Sequence, residues 1–218
     1  MQFQDRTHAG RSLAGKLERY GDNPDVIVLA LPRGGVPVAF EVAKALNAPL
    51  DVFIVRKLGV PGHEEYAMGA IASGGVRVMN PDVTGMGLPE SAVAVVVARE
   101  QKELERREHL YRGDRPPLEL AGRIVILVDD GLATGSTMRA AAIAVKQQKP
   151  ARCVVAVPVA APDTCEQFRT EVDEVICVVT PDPFRAVGLW YENFTQTTDD
   201  EVHALLAAAG ASKRSHTV

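Results

Sequence analysis

Five short apolar runs punctuate the chain, at residues 26–31, 52–55, 124–128, 154–157 and 175–179. They are rich in β-branched residues and continuous rather than alternating, the pattern of strands buried on both faces of a parallel sheet. Helix-like segments fall between most of them. In the first, Val36, Phe40, Val42, Ala43 and Leu46 trace one face before Asn47 and Pro49 stop it. Another is expected over 138–144, and the last crossover over 162–170. Strands alternating with helices predict an α/β fold: a doubly wound, mainly parallel sheet flanked by helices, in one domain covering 1–218.

Two stretches break the alternation. Residues 68–71 and 76–79 flank Ser73-Gly74-Gly75 and read as a short hairpin beside the main sheet. Residues 89–111 form a long helix candidate opening at Pro89, dense in Glu, Lys and Arg, with opposite charges spaced as on a solvated face. After it, 112–117 is a loop. Residues 207–218 lose periodicity and read as a frayed tail.

Composition narrows the class. The 218 residues are 46% hydrophobic and 24% charged, which suits a globular domain and excludes disordered and fibrous classes. With 24 basic against 28 acidic residues the net charge is −4, so nothing pulls the whole surface toward nucleic acid and any anion site is local. No apolar run approaches a membrane span, and the start of the chain lacks a signal-peptide core, so a cytoplasmic protein without nucleic-acid or membrane partners is expected. Cys153, Cys165 and Cys177 show neither zinc spacing nor a disulfide framework. Cys153 and Cys177 read as small buried hydrophobes.

The segment 125–138 carries the strongest chemical signal. It joins an apolar strand to Asp129 and Asp130, then to Ala133, Thr134, Gly135, Ser136 and Thr137 at the start of a helix. In open α/β sheets ligands bind outside the carboxyl ends of the strands, where paired carboxylates can hold sugar hydroxyls or face a hydrated Mg²⁺. A glycine, three hydroxyls and a helix N-terminus then suit a phosphate. Arg33-Gly34-Gly35 holds the same position after the first strand, with a guanidinium fork matched to phosphate oxygens. Arg56 and Lys57 follow the second strand and open a Gly/Pro-bearing excursion over about 56–67 that includes His63, Glu64 and Glu65. The sole aromatic-rich stretch contains Phe184, Val187, Trp190 and Glu192 and reads as a cover over the sheet.

The string from Val128 to Thr137 resembles the signature with which type I phosphoribosyltransferases bind phosphoribosyl pyrophosphate (PRPP). In the resemblance, Asp129 and Asp130 hold the ribose and, through water, Mg²⁺; 133–137 holds the 5′-phosphate; Arg33, Gly34 and Gly35 form the pyrophosphate loop. Arg56 and Lys57 lie on a mobile loop that closes over the reacting centre. Residues 180–196, with the N-terminal segment, form a small hood in which Phe184, Val187, Trp190 and Glu192 meet the acceptor. The resemblance implies transfer of the 5-phosphoribosyl group from PRPP to a nitrogenous acceptor with release of pyrophosphate, in a possible homodimer. A non-catalytic PRPP- or nucleotide-binding regulator is the alternative. The hood is similar to that of 6-oxopurine enzymes, though Arg185 stands at an aromatic position and leaves stacking to Phe184 or Trp190; two departures, Ala133 in place of an aspartate and the lack of a lysine in 160–162, predict that hypoxanthine and guanine are poor acceptors.

Overall fold

The computed structural model describes residues 2–80 and 88–214. Five parallel strands form the centre: β1 (Val26–Ala30), β2 (Leu50–Val52), β6 (Ile124–Val128), β7 (Arg152–Val159) and β8 (Glu174–Val179), in the spatial order β2-β1-β6-β7-β8. Their registers run in step, with Leu29 opposite Leu127, Leu127 opposite Val155 and Val155 opposite Val175. The pleat sends alternate residues to opposite faces. Val26, Val28, Ala30, Ile126, Val128, Val154 and Ala156 enter one core. Ile27, Leu29, Val125, Leu127, Val155 and Val157 enter the other. Both faces are covered, which is why the runs carry no polar alternation.

Helices α1 (Arg6–Ala14) and α2 (Gly35–Leu46) cover the first face. Asp5 caps α1, its carboxylate accepting from the His8 amide at 2.8 Å. A Cβ on Gly10 would stand 2.7 Å from the Val38 carbonyl, so the two helices approach at a distance only glycine allows. Helices α4 (Ser136–Gln147) and α5 (Pro162–Glu171) cover the second face. The chain leaves β1 toward β2 on one side and finds β6 on the other, so the sheet order reverses beside β1 and opens a crevice at the carboxyl ends of β1 and β6.

A second, antiparallel sheet stands beside the first: β3 (Val55–Val60), β4 (His63–Ala72) and β5 (Val76–Met79). The hairpin at Ser73-Gly74-Gly75 is present, with Gly74 and Gly75 both at positive φ. The expected strand 52–55 is divided, however: Val52 ends β2, and Val55 opens β3 in the other sheet. The excursion 56–67 is a β-ribbon rather than an irregular loop. Arg56 pairs with Ile71 and Lys57 with Ala70, while the register shifts around Gly59 let Gly59 sit against the Glu64 backbone.

Helix α3 (Glu90–Arg112) matches the charged helix candidate and joins the two sheets. Its Glu100 is buried against Arg56 of β3, and its Arg112 pairs with Asp51 of β2 at 3.1 Å. The frayed tail is corrected over most of its length. Helix α6 (Asp199–Arg214) runs through it, anchored by Val202 and Leu206 one turn apart in the core; residues 215–218 lie outside the described residues.

Candidate functional site

Asp129 and Asp130 stand where β6 ends. The Asp130 amide donates to Asp129 Oδ1 at 2.8 Å. Burial first, and the adjacent Asp130 second, push the Asp129 carboxyl well above its ordinary range. Burial raises Asp130 too, against the opposing pull of Arg6. Arg6, from α1, places both Nε and Nη2 at 2.8 Å from Asp130 Oδ2.

The loop after β1 reaches the same acids. Leu31 extends the β1 pairing by donating to the Val128 carbonyl at 2.9 Å. This brings Gly34 so close that a Cβ there would collide with the Asp130 carboxylate, while one on Gly35 would stand 2.7 Å from the Val128 carbonyl. Glycine is required at both positions by approach rather than by a turn. Arg33 points its Nη1 to within 3.6 Å of Asp199 at the start of α6. Asp199 also accepts from the Tyr111 hydroxyl at 2.6 Å, which holds its carboxyl below the ordinary range; Tyr111 is pushed up to about 12, by burial before the effect of Asp199. A cavity of about 380 Å³ lies between Arg33 and residues 196–200.

Residues 133–137 lead into α4, with Ala133, Thr134, Ser136 and Thr137 exposed and Gly135 buried. Gly135 has φ +73°, and a Cβ would meet the Phe168 ring at 2.6 Å, so neither backbone nor packing admits a side chain. Thr164 of α5 fastens the loop by donating to the Ala133 carbonyl at 2.6 Å. Ser136 and Thr137 are exposed in the first helical turn, and no side chain caps that turn, leaving it suited to an anion.

The two cations of β3 do not act together. Because neighbouring residues of a strand face opposite ways, Lys57 lines a second cavity of about 380 Å³ with Ser136, Thr137, Ala140 and Ile143. Arg56 turns to α3, donating to Glu100 through Nε at 3.0 Å and Nη2 at 2.7 Å. The guanidinium of Arg56, expected with Lys57 on a loop closing over the reacting centre, is engaged in this structure by a buried carboxylate between the two sheets. His63 and Glu64 are exposed at the ribbon's far end, where Glu64 pairs with Arg99.

The hood is built from both ends of the described chain. Phe3 donates to the Trp190 carbonyl at 2.8 Å, and Glu192 donates back to the Phe3 carbonyl at 2.8 Å. Phe184, Val187 and Trp190 pack with Phe3, Ala9 and Val159. Val187 also lies so tightly on Gly131 that a Cβ there would strike it. These three expected hood residues therefore form its packed body, whereas the Glu192 side chain is exposed. The contacts to the acids come from residues the sequence reading did not single out. Tyr191 donates its hydroxyl to the Asp130 carbonyl at 2.5 Å. Phe194 lies over Arg6, 4.0 Å from guanidinium carbon to ring centroid, and Arg6 Nη1 reaches the Thr195 carbonyl at 2.7 Å. No spacing rule links Arg6 to Asp130 across 124 positions; the one available signal was the cap residue Asp5, which marks a helix starting beside it.

Fold and site together define a class: a parallel α/β protein in which two glycine loops and an acidic pair meet at the carboxyl ends of adjacent strands. The model of the phosphoribosyl transferase domain matches residues 2–193, and the chain belongs to that family. It is 50% identical over 208 residues, 95% of its length, to a Mycobacterium tuberculosis protein that carries a provisional phosphoribosyl transferase name. The chain spans about half the length of that relative, 47%. It is 33% identical over 128 residues to a Chloroflexus aurantiacus protein named bifunctional protein PyrR, covering 57% of this chain and 65% of that one. The crystal structure of TT1426 from Thermus thermophilus superposes with a TM-score of 0.84 at 44% identity, covering 95% of this chain and 99% of the other.

Proposed function

We propose that the protein transfers the 5-phosphoribosyl group from PRPP to a nitrogenous acceptor and releases pyrophosphate. The observation that carries the reading is the approach of Gly34 to the Asp130 carboxylate, which puts the loop after β1 and the acids after β6 in one crevice. PRPP has two anionic ends separated by a ribose. In this reading the uncapped first turn of α4, with Thr134, Gly135, Ser136 and Thr137, takes the 5′-phosphate; Asp129 and Asp130 take the ribose hydroxyls; and the amides around Gly34 and Gly35, with Arg33, take the pyrophosphate.

Mg²⁺ fits this donor set. Two adjacent carboxyls, both raised by burial, are relieved by a cation, and their number suits a metal that keeps most of its ligands as water and diphosphate. When bound, the ion supplies neutralisation of the charge building on the leaving pyrophosphate. The chain's own contribution is to fix the ribose between loop and acids, and to offer Lys57, on the face of β3 toward α4, as a further cation when the ribbon bears on the ligand. Arg6 opposes the burial that raises Asp130 and aims its carboxyl, and through Phe194 and Thr195 it joins that carboxyl to the hood under which the acceptor would lie.

The test is calorimetric titration with PRPP and Mg²⁺, followed by a pyrophosphate-release assay across purine, pyrimidine and other nitrogenous acceptors. Binding with release for one acceptor supports the transferase, and hypoxanthine and guanine are expected to be slow. Unchanged PRPP affinity in the Asp129→Asn/Asp130→Asn double variant would refute the site. A second reading, ligand binding without transfer, is favoured by the similarity to a protein named bifunctional, and predicts binding with no release for any acceptor.

A further inference from the structure

We propose that Cys165 and Cys177 form a reversible dithiol–disulfide site that fixes helix α5 beneath the loop 133–137. Their sulfurs lie 2.7 Å apart as free thiols, joining the first turn of α5 to β8, which is an edge strand of the parallel sheet. A disulfide needs about 2.05 Å, so the two sulfurs need to close by only about 0.65 Å between a helix and a strand already in contact. Cys165 is buried and Cys177 is half-buried, which makes Cys177 the sulfur a small reagent can reach. Cys153 lies elsewhere, fully buried on β7 opposite Val125, and supplies an internal control.

The position gives the bond its consequence. Thr164, next to Cys165, donates to the Ala133 carbonyl, and Phe168, one turn on, fills the space where a side chain at Gly135 would be. Helix α5 is thus the floor of the loop, and β8 is the wall to which the disulfide would tie it. The co-reactant is a low-molecular-weight disulfide. The Cys177 thiolate attacks one of its sulfurs, forming a mixed disulfide and expelling one small thiol. The Cys165 thiolate then attacks Cys177 Sγ, closing the protein disulfide and expelling the second thiol; the two protein protons end on the two small thiols. Burial and the neighbouring Cys165 raise the Cys177 thiol, so the exchange is slow at neutral pH and faster in alkali.

Native protein incubated with glutathione disulfide, then alkylated, digested and mapped by mass spectrometry, should yield a 165–177 cross-linked peptide that dithiothreitol removes. Cys153→Ser should leave it unchanged and Cys177→Ser should abolish it; should Cys165→Ser fail to fold, Cys177→Ser carries the same information from a less buried position. Both thiols alkylated after oxidation, or linkage only between molecules, would overturn the proposal. A preorganised floor should tighten PRPP about 3-fold in oxidised wild type and not in Cys177→Ser. Equal affinities would overturn the link to the loop. Failure of the reduced protein to bind PRPP counts against the transferase reading alone, since peptide mapping still decides the disulfide.

Discussion

The two walls of the crevice are built on opposite plans. The wall at 129–137 is local: strand, acids, glycine and helix start lie within fourteen consecutive residues, with its glycine loop resting on the floor supplied by Thr164 and Phe168 and its acids meeting the hood through Arg6 and Tyr191. The hood wall is assembled from afar, since Phe3 and Arg6 meet Trp190, Tyr191, Phe194 and Thr195 across nearly the whole chain. A local wall owes its shape to backbone conformation and is sensitive to single glycines. An assembled wall owes its shape to a few long-range side-chain contacts, of which Arg6 makes three: with Asp130, Phe194 and Thr195. The first should fail by losing its ligand, the second by losing both order and ligand.

The largest effect should come from Gly135→Ala. A Cβ there must hold φ +73° and displace the Phe168 ring, which together cost on the order of 2–4 kcal/mol. PRPP affinity should fall at least 100-fold by calorimetry. Affinity within threefold of wild type would show that the local wall does not depend on its glycine.

Next in size is Arg6→Met, which keeps an apolar stem under Phe194 but leaves the half-buried Asp130 carboxylate without its cation. Loss of a charge-assisted pair costs on the order of 1.5–3 kcal/mol. Urea unfolding should read that loss, and tryptophan fluorescence from Trp190 should report a loosened hood. If PRPP binding weakened with stability and fluorescence unchanged, the hood would not be held by Arg6.

These contrasts also explain what could be read from the chain alone. Parallel strands and the loop 129–137 were legible because each is written in consecutive residues: β-branched runs for burial on two faces, then acids, glycine and hydroxyls. The ribbon was not, because Arg56, Lys57, Gly59, Pro61 and Gly62 have the composition of a loop; only pairing between β3 and β4 makes the first three strand and the last two the turn between them. The partner of Arg56 was illegible for the same reason. Its neighbour Lys57 does face α4, but strand alternation turns Arg56 to Glu100, a residue hidden within a run of charges on α3. Helix α6 was hidden by its alanines, since Val202 and Leu206 are the anchor residues that mark its buried side.

That division of β3 gives a smaller, two-sided test. Lys57→Ala should lower pyrophosphate release at least tenfold while PRPP binding stays within about threefold, an effect of about 1.4 kcal/mol or more on the transition state alone. Arg56→Ala should instead destabilise the protein, by about 2 kcal/mol, because Glu100 is left buried with the more exposed Arg99 as its ion-pair partner among the described residues. Loss of release in Arg56→Ala at unchanged stability would instead give Arg56 a direct role in the site.

The smallest effect has the opposite sign. Asp129 titrates higher in the folded chain than its ordinary 3.8, so between that value and its raised native one the folded protein holds a proton that the unfolded chain has released. Stability therefore falls as pH rises through this window, and the full cost of the ionised carboxylate is present above it. Asp129→Asn keeps the Oδ1 that accepts from the Asp130 amide and removes the charge. Its Tm should exceed that of wild type at neutral pH by roughly 2–4 °C, the equivalent of about 1 kcal/mol in a chain of this size, while PRPP binding weakens. The difference in Tm should shrink as the pH is lowered toward 3.8. A variant less stable than wild type at neutral pH would mean that the acidic pair is an asset to the fold, and that the local wall, like the hood, is held together by charge.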